Sequence, residues 1–311
     1  TVEAAELDEL VETLPASAGN SRSLKGNRIG FDLGGSDRKC AAIIDGKVVF
    51  PEEVKWSPYF ESDPAYHRAG IEDSLKLAAA HLPSVDAIGG SAAGIYIDNE
   101  PRVGSLYRGI APNDFKSQIQ GIFKDLQQDW NHVPFDVAND GDVTAMAGAM
   151  AIDDNAVLGI SMGTSLAGGY INPNGAVTGW INELAFVPVD YRDGVAIDEW
   201  SGDTGCGVQY FSQQGVGRLL SRSGIQVDAN IGLPEQLEVV QAKMEQSDER
   251  AAAAIYKTIG SYFGYSIAHF AEFYEFRHLL FLGRVSSGQG GEIIMQEARR
   301  VLDLEFPELS A

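Results

Sequence analysis

The sequence predicts an α/β fold of two lobes that arose by duplication. Its 311 residues exceed the usual size of one compact core, which favours two lobes. Strand-like and helical apolar patterns alternate along the chain, as they do in α/β folds. A glycine-rich segment also occurs twice, first at Gly30 and again at Gly159, and such a repeat indicates a duplicated domain.

Three parts are expected along the chain. They are an N-terminal extension over residues 1–27, a small N-terminal α/β lobe over residues 28–138 and a larger C-terminal α/β lobe over residues 139–311. The extension is acidic and ends in a polar linker. It holds four apolar residues at near-helical spacing, namely Leu7, Leu10, Val11 and Leu14. We therefore predict an appended helix before the first lobe.

The elements of the first lobe follow from local patterns. Strands are predicted on both sides of the Asp45-Gly46 pair, which is a strong hairpin signal. Residues 85–97 predict a buried strand that leads into a loop of small residues, and residues 133–142 predict a strand that runs into a loop. A helix over residues 115–130 is predicted from one apolar face, formed by Phe115, Ile119, Ile122, Phe123 and Leu126.

The second lobe continues the alternation. A further helix is marked by Val143, Met146, Ala147 and Met150, and a strand-rich block begins at Val157. A long helix and a late strand at residues 279–283 follow. The apolar residues that predict the long helix are Ile255, Ile259, Phe263, Ile267 and Phe270.

Composition excludes several classes of function. A formal charge of −21 without a basic cluster repels nucleic acid, so no DNA or RNA partner is expected. Two cysteines, Cys40 and Cys206, cannot build a disulfide framework, which favours a reducing, cytoplasmic setting. No apolar run approaches the roughly 20 residues of a membrane-spanning helix. We therefore expect a cytoplasmic protein that acts on small molecules, with no membrane partner.

The repeat places two glycine-rich hairpins at equivalent positions. Five pairs of identical residues coincide: Gly30 and Gly159, Gly34 and Gly163, Ser36 and Ser165, Gly46 and Gly175, Val48 and Val177. Such hairpins suit a polyphosphate, because glycines permit close backbone approach and successive N–H groups bind anions. The hydroxyls of Ser36, Thr164 and Ser165 would add donors. The alternative is that the glycines serve tight turns only.

Two aspartates are candidates for the chemistry. Asp32 lies at the end of the first strand, where its carboxylate can hold Mg²⁺ through water, although it can also cap a turn. Lys39 is a weaker candidate for contact with phosphate. Asp140 follows a strand and opens a helix, which suits a general base that takes a proton from a hydroxyl. Asn139 would orient the substrate through hydrogen bonds. The alternative is that Asn139 or Asp140 is only a helix N-cap.

These segments resemble the ROK family of sugar kinases and repressors. IGFDLGGS, VANDGD, MGTSLAGG and FLGRVSS are similar, in this order, to its first phosphate segment, catalytic segment, second phosphate segment and adenosine segment. The resemblance implies a two-lobed, duplicated actin-like ATPase (ribonuclease H-like) fold with a nucleotide cleft between the lobes, ATP and Mg²⁺ as cofactors, and a homodimer. It assigns Asp140 as the catalytic base and Asn139 as a sugar ligand. The residues that it implies for ATP are Asp32, Gly34, Gly35, Ser36, Gly163, Thr164, Ser165, Gly283, Arg284 and Val285.

The sequence departs from the family pattern at the zinc and sugar positions. NELAF keeps Glu183 but has Phe186 in place of the family histidine, and Cys206 is the one thiol of a degenerate cysteine cluster, so no zinc is expected. The sugar-contacting dipeptide after Gly94 is absent, with Ser105 nearest its position. Glu183, Gly94 and Ser105 remain expected substrate contacts, and Arg108 is a candidate for an acidic group on the substrate.

The function predicted from these observations is ATP-dependent phosphorylation of a sugar or polyol hydroxyl. One alternative is a non-catalytic sugar-sensing regulator, which would act through protein contacts. The other is an ATPase of the same superfamily that transfers phosphate to water.

Overall fold

The computed structural model describes residues 24–178, 180–228, 230–245 and 249–310. The predicted N-terminal helix lies outside these residues. The described chain forms two compact units, which meet in sequence between Val143 and Thr144. No helix in the described ranges is long and apolar enough to cross a membrane.

The N-terminal unit contains a five-stranded sheet with strand order β3-β2-β1-β4-β7. Its strands are β1 Asn27–Leu33, β2 Asp37–Ile44, β3 Lys47–Lys55, β4 Ala87–Ala92 and β7 Phe135–Asn139. Strand β1 is antiparallel to β2 and parallel to β4, and β4 is parallel to β7. The predicted hairpin between β2 and β3 is confirmed, since Asp45 and Gly46 have positive φ angles of 48° and 79°.

Two segments of this unit differ from the sequence prediction. Residues 85–97 do not end in a loop alone, because β5 (Ile95–Ile97) pairs with β6 (Glu100–Val103) in a short hairpin. Residues 115–130 form two helical pieces, a π-helix at Phe115–Ile119 and an α-helix, α2, at Ile122–Asp129. Gly121 separates the pieces. Four of the five predicted apolar residues are nevertheless buried, namely Ile119, Ile122, Phe123 and Leu126.

The core of the N-terminal unit lies against the sheet. Alternate residues of β1, namely Ile29, Phe31 and Leu33, are buried, as expected for a strand with one face in the core. The Phe31 ring packs against those of Phe123 and Phe135, with ring centres 6.2 and 6.0 Å apart. A longer helix, α1 (Pro64–Ala79), packs on β1 and β2 and is capped by the Asp63 side chain.

A helix follows β7 without the predicted loop. Helix α3 (Asp140–Ile152) begins at the residue after β7 ends. The predicted helix is thus confirmed, but its buried face contains Ala145 and Ala149, whereas Ala147 is exposed. Asp140 therefore lies in the first turn of a helix and not in a flexible loop.

The C-terminal unit repeats the strand arrangement of the N-terminal unit. Its sheet has strand order β10-β8-β9. The strands are β8 Val157–Met162, β9 Leu166–Ile171 and β10 His278–Leu282. Strand β8 is antiparallel to β9 and parallel to β10, just as β1 is to β2 and β4. Gly175 also matches Gly46, since their φ angles are 80° and 79°.

Helices complete the C-terminal unit. They are α4 Gln213–Ser223, α5 Leu233–Met244, α6 Glu249–Ala271 and α7 Gly288–Glu305. The predicted long helix and its apolar face are confirmed, because Ile255, Ile259, Phe263, Ile267 and Phe270 are all buried in α6. Cys206 is also buried in this core, and Cys40 is buried in the core of the N-terminal unit.

Candidate active site

Asp32 is held between the two strands that flank β1. Its register partner in β4 is Ser91, whose buried hydroxyl donates a hydrogen bond of 2.8 Å to Asp32 Oδ1. Its partner in β2 is Lys39, whose Nζ lies 3.6 Å from Asp32 Oδ2. The side chains meet because register partners project to the same face of a sheet. The carboxylate is thus fixed but partly exposed, as a group that binds a metal ion must be.

Lys39 lies between two carboxylates. Its Nζ lies 2.6 Å from Asp37 Oδ1 in addition to the contact with Asp32. The hydrogen bond to Asp37 raises the pKa of Lys39, burial opposes this, and the charges of Asp32 and Asp37 raise it further. Lys39 therefore carries a positive charge beside the predicted phosphate turn.

Aromatic residues after β3 shape the turn at Gly34, Gly35 and Ser36, which is the predicted first phosphate turn. Trp56 Nε1 donates a hydrogen bond of 2.7 Å to the carbonyl of Gly34. A Cβ atom at Gly35 would lie 2.0 Å from the Tyr59 hydroxyl oxygen. Glycine is therefore required at position 35 for contact with Tyr59. Ser36 is exposed at the tip of the turn.

Asn139 connects β7, α3 and the Gly94 loop. Its Oδ1 accepts a hydrogen bond of 2.7 Å from the N–H of Gly141, so it caps α3 as the alternative interpretation predicts. Its Nδ2 donates a hydrogen bond of 2.7 Å to the carbonyl of Gly94. These bonds position the start of α3, and a direct contact of Asn139 with sugar stays a prediction.

Asp140 is a buried carboxylate whose pKa is raised above its ordinary value. Burial raises its pKa first and the negative charge of Asp32 raises it further, while the N–H of Gly141 opposes the shift. Strands β4 and β7 are parallel neighbours, so residues at their carboxyl ends lie at one edge of the sheet. A carboxylate whose pKa is raised towards the working pH is a better proton acceptor.

Gly94 and Ser105 lie on one stretch of chain near this edge. Gly94 has a φ of 131°, and a Cβ atom there would lie 2.3 Å from the carbonyl oxygen of Val103. Ser105 begins a 3₁₀ turn two residues after Val103 and is half-buried. The tight contact at Gly94 thus sets where Ser105 lies.

The C-terminal unit brings two of its predicted ATP segments together. The N–H of Gly163 donates to the Ser165 carbonyl at 2.9 Å, and Thr164 and Ser165 are exposed. Gly283 has a φ of 112°, and a Cβ atom there would lie 2.3 Å from the carbonyl oxygen of Met162, the residue before Gly163. Val285 donates its N–H to the same carbonyl at 3.0 Å, while Arg284 is exposed.

The segment from Phe186 to Tyr210, where the family has its zinc ligands, is stabilised by ring packing and hydrogen bonds. The Phe186 ring packs against Trp200, with ring centres 5.4 Å apart. Asp190 accepts from the Tyr210 hydroxyl at 2.6 Å and from Arg192 Nε at 2.9 Å. These contacts, with Arg192 the larger, hold the pKa of Asp190 well below its ordinary value. No cluster of three or more metal-binding side chains occurs within the described ranges.

Glu183, a predicted substrate contact, is half-buried just before the 3₁₀ turn that contains Phe186.

Sequence reasoning missed two residues of the N-terminal site, Ser91 and Tyr59. Ser91 is a polar residue in a strand of small residues, and only the register of β1 and β4 reveals that it faces Asp32. Tyr59 follows β3 in an irregular segment, so no periodic pattern marks it.

Comparison with known proteins supports the fold. No protein-family model and no curated protein matches the sequence. Solved structures do match. A ROK family transcriptional regulator, a homologue of the E. coli MLC protein, is 18% identical with a TM-score of 0.71, over 90% of this chain and 70% of that one. A ROK family glucokinase from Streptomyces griseus, in complex with glucose and AMPPNP, is 20% identical with a TM-score of 0.67, over 89% and 90% of the two chains.

A third match belongs to the same group. The ROK hexokinase from Thermus thermophilus is 16% identical with a TM-score of 0.62, over 89% of each chain. The likeness is one of fold, and it agrees with the repeated strand arrangement. The chain has the duplicated actin-like ATPase fold of the ROK sugar kinases and ROK regulators.

Proposed function

We propose that this protein is an ATP-dependent kinase that phosphorylates a hydroxyl of a sugar or related polyol. The observation that carries the proposal is the pair of carboxylates at one edge of the N-terminal sheet. Asp32 is fixed by Ser91 and Lys39, and Asp140 lies in the first turn of α3 with a raised pKa. The two groups are suited to different tasks, one to a metal and one to a proton.

The donor set fits Mg²⁺ and ATP. Asp32 offers a partly exposed carboxylate, and Mg²⁺ prefers oxygen ligands and retains several waters, so a water-mediated contact suits this position. When bound, Mg²⁺ neutralises charge on the phosphoryl group that is transferred. The backbone of Gly34 and Gly35 and the hydroxyl of Ser36 would bind phosphate, as would Gly163, Thr164 and Ser165. The Gly283, Arg284 and Val285 segment would contact the adenosine.

Asp140 would act on the acceptor. Its carboxylate takes the proton of the attacking hydroxyl, while Asn139 keeps the first turn of α3 in place through its two hydrogen bonds. Gly94, Ser105 and Glu183 are proposed as further substrate contacts. Catalysis otherwise depends on positioning and on neutralisation of charge. A cytoplasmic homodimer is part of the same proposal.

A sensor is the second candidate function. Two observations favour it: one match is a transcriptional regulator, and Phe186 and Cys206 depart from the zinc and sugar pattern. A sensor would bind the sugar without transferring phosphate.

The test is ADP release from Mg·ATP across hexoses, N-acetylhexosamines, sugar acids and cyclitols, with a no-acceptor control. Stimulation by one acceptor class is the result expected of a kinase. ADP release that is independent of acceptor would instead indicate transfer to water. Acceptor binding without ADP release in any reaction would contradict the kinase and support the sensor.

A further inference from the structure

Arg108 is an exposed arginine that is held by aromatic rings. Its guanidinium carbon lies 4.0 Å from the ring centre of Tyr59 and 4.9 Å from that of Phe60. Among the described residues, no carboxylate lies within ion-pair distance of Arg108. Three other arginines of the N-terminal unit do pair with carboxylates, namely Arg38, Arg68 and Arg102.

This arrangement prepares the guanidinium for an anion. Stacking uses the face of the guanidinium and leaves the N–H groups at its edge available for hydrogen bonds. It also restricts the side chain before a ligand arrives, which lowers the entropy cost of binding. Contact with two aromatic rings, together with exposure to solvent, makes Arg108 a candidate for a ligand-binding group.

Arg108 is connected to the first phosphate turn through Tyr59. The Tyr59 hydroxyl lies over Gly35, so closely that a Cβ atom at position 35 would be 2.0 Å away. The Tyr59 ring, which the Arg108 guanidinium contacts, therefore also contacts the turn that follows Asp32.

Arg108 is also connected to the acceptor side of the site. It follows the 3₁₀ turn Ser105–Tyr107 directly. Gly104, at the start of this turn, lies against Gly94, since a Cβ atom at Gly94 would be 2.8 Å from the Gly104 Cα. The Gly94 carbonyl in turn binds Asn139. These contacts connect Arg108 to Asn139, the residue before Asp140.

We propose that the acceptor is an acidic sugar or polyol, of the aldonic or uronic acid class, and that Arg108 binds its carboxylate. This inference rests on the proposed function, because it names the substrate class of the same site. A planar guanidinium binds a carboxylate through two parallel N–H···O bonds, and such a contact also selects against the neutral parent sugar. The absence of the family's sugar-contacting dipeptide near Ser105 agrees with a change of substrate.

The test is a comparison of matched acids and neutral parents by isothermal titration. The pairs are gluconate and glucitol, glucuronate and glucose, and galacturonate and galactose, each titrated in the presence of Mg·AMPPNP. We expect at least one acid to bind about 10- to 100-fold more tightly than its parent, as a charge-assisted bidentate contact gives. Arg108→Gln should abolish this preference, and Arg108→Lys should restore only part of it.

Arg102→Gln is the matched control. Arg102 is another exposed arginine of the same unit, and its partner Glu100 keeps an ion pair with Lys124 at 2.6 Å after the change. This variant should keep the full preference for the acid. The inference is overturned if no acid binds more tightly than its parent, or if Arg108→Gln keeps the preference. It is also overturned if Arg108→Gln weakens AMPPNP binding and leaves acid binding unchanged, since the anion would then be a nucleotide phosphate.

The outcome of this test is separate from that of the kinase proposal. Acid binding that depends on Arg108 without any ADP release would support the acidic ligand and contradict the kinase. ADP release with neutral sugars alone would support the kinase and overturn the acidic acceptor.

Discussion

Gly94→Ala is expected to destabilise the N-terminal unit and disturb the active site together. The φ of 131° at Gly94 is unfavourable for alanine, and a backbone outlier of this kind costs about 1–3 kcal/mol. The new Cβ would lie 2.3 Å from the Val103 carbonyl oxygen, a backbone atom that cannot rotate away. Overpacking of this kind costs about 1–3 kcal/mol more. We expect the free energy of unfolding to fall by about 2–6 kcal/mol.

The matched control is Gly89→Ala in the same strand region. A Cβ atom at Gly89 meets no atom within 4 Å, so this variant should change the free energy of unfolding by less than about 0.5 kcal/mol. The assay is urea unfolding followed by tryptophan fluorescence, together with KM for the acceptor. Because the Gly94 carbonyl binds Asn139, displacement of the loop should also raise the acceptor KM in the Gly94 variant. Equal unfolding midpoints for the two variants would refute the steric reasoning.

Three further predictions concern carboxylates. Ser91→Ala removes the hydrogen bond to Asp32 and should lower kcat about 10-fold and raise the Mg²⁺ concentration needed for half-maximal rate; an unchanged Mg²⁺ dependence would contradict this. The pKa of Asp140 is raised by burial and by Asp32, so kcat/KM should fall as the pH drops through a pKa above the ordinary aspartate value, and Asp32→Asn should move that acid limb to lower pH in a pH–rate profile; a limb that stays in place would show that Asp32 does not act on Asp140. Asp190→Asn should cost about 1–2 kcal/mol of unfolding free energy at pH 7. Because the folded-state pKa of Asp190 is lowered, this stabilisation is present at neutral pH and is lost as the pH falls through that pKa, so urea midpoints of wild type and variant should converge in acid.

Much of the fold could be predicted because its signals are local. The Asp45-Gly46 pair specifies its own turn through positive φ angles. The apolar face of α6 follows from spacing within one segment. The repeat at Gly30 and Gly159 predicted the duplication, which the matching arrangement of strands around β1 and β8 confirms.

The remaining parts of the fold depend on contacts that spacing does not reveal. The break in the helix over residues 115–130 falls at Gly121, while its apolar face is continuous because the π-helix keeps Ile119 on the buried side. The loop predicted before α3 is absent because the Asn139 side chain caps the helix at the end of β7. Neither the π-helix nor the Asn139 cap changes the spacing of apolar residues from which these elements were predicted.

The candidate site was predictable where single segments carry it. Asp32, Asn139 and Asp140 each lie at a strand end that the sequence marks, although their chemical roles stay predictions. Ser91 could not be assigned, because the register between parallel strands that are separated by a helix is set by tertiary packing. The stack of Arg108 on Tyr59 likewise joins two irregular segments that are far apart in the sequence.

The measurement that tests the central claim most directly is the turnover of Asp140→Asn beside its nucleotide affinity and stability. Loss of the general base should lower kcat by about 10²- to 10⁴-fold, while the Kd for Mg·AMPPNP stays within about twofold. The variant should also unfold at a higher urea concentration than wild type at pH 7, because the raised pKa means that the ionised carboxylate destabilises the folded state. A folded Asp140→Asn protein that retains nucleotide affinity and wild-type turnover would contradict the assignment of Asp140 as the catalytic base.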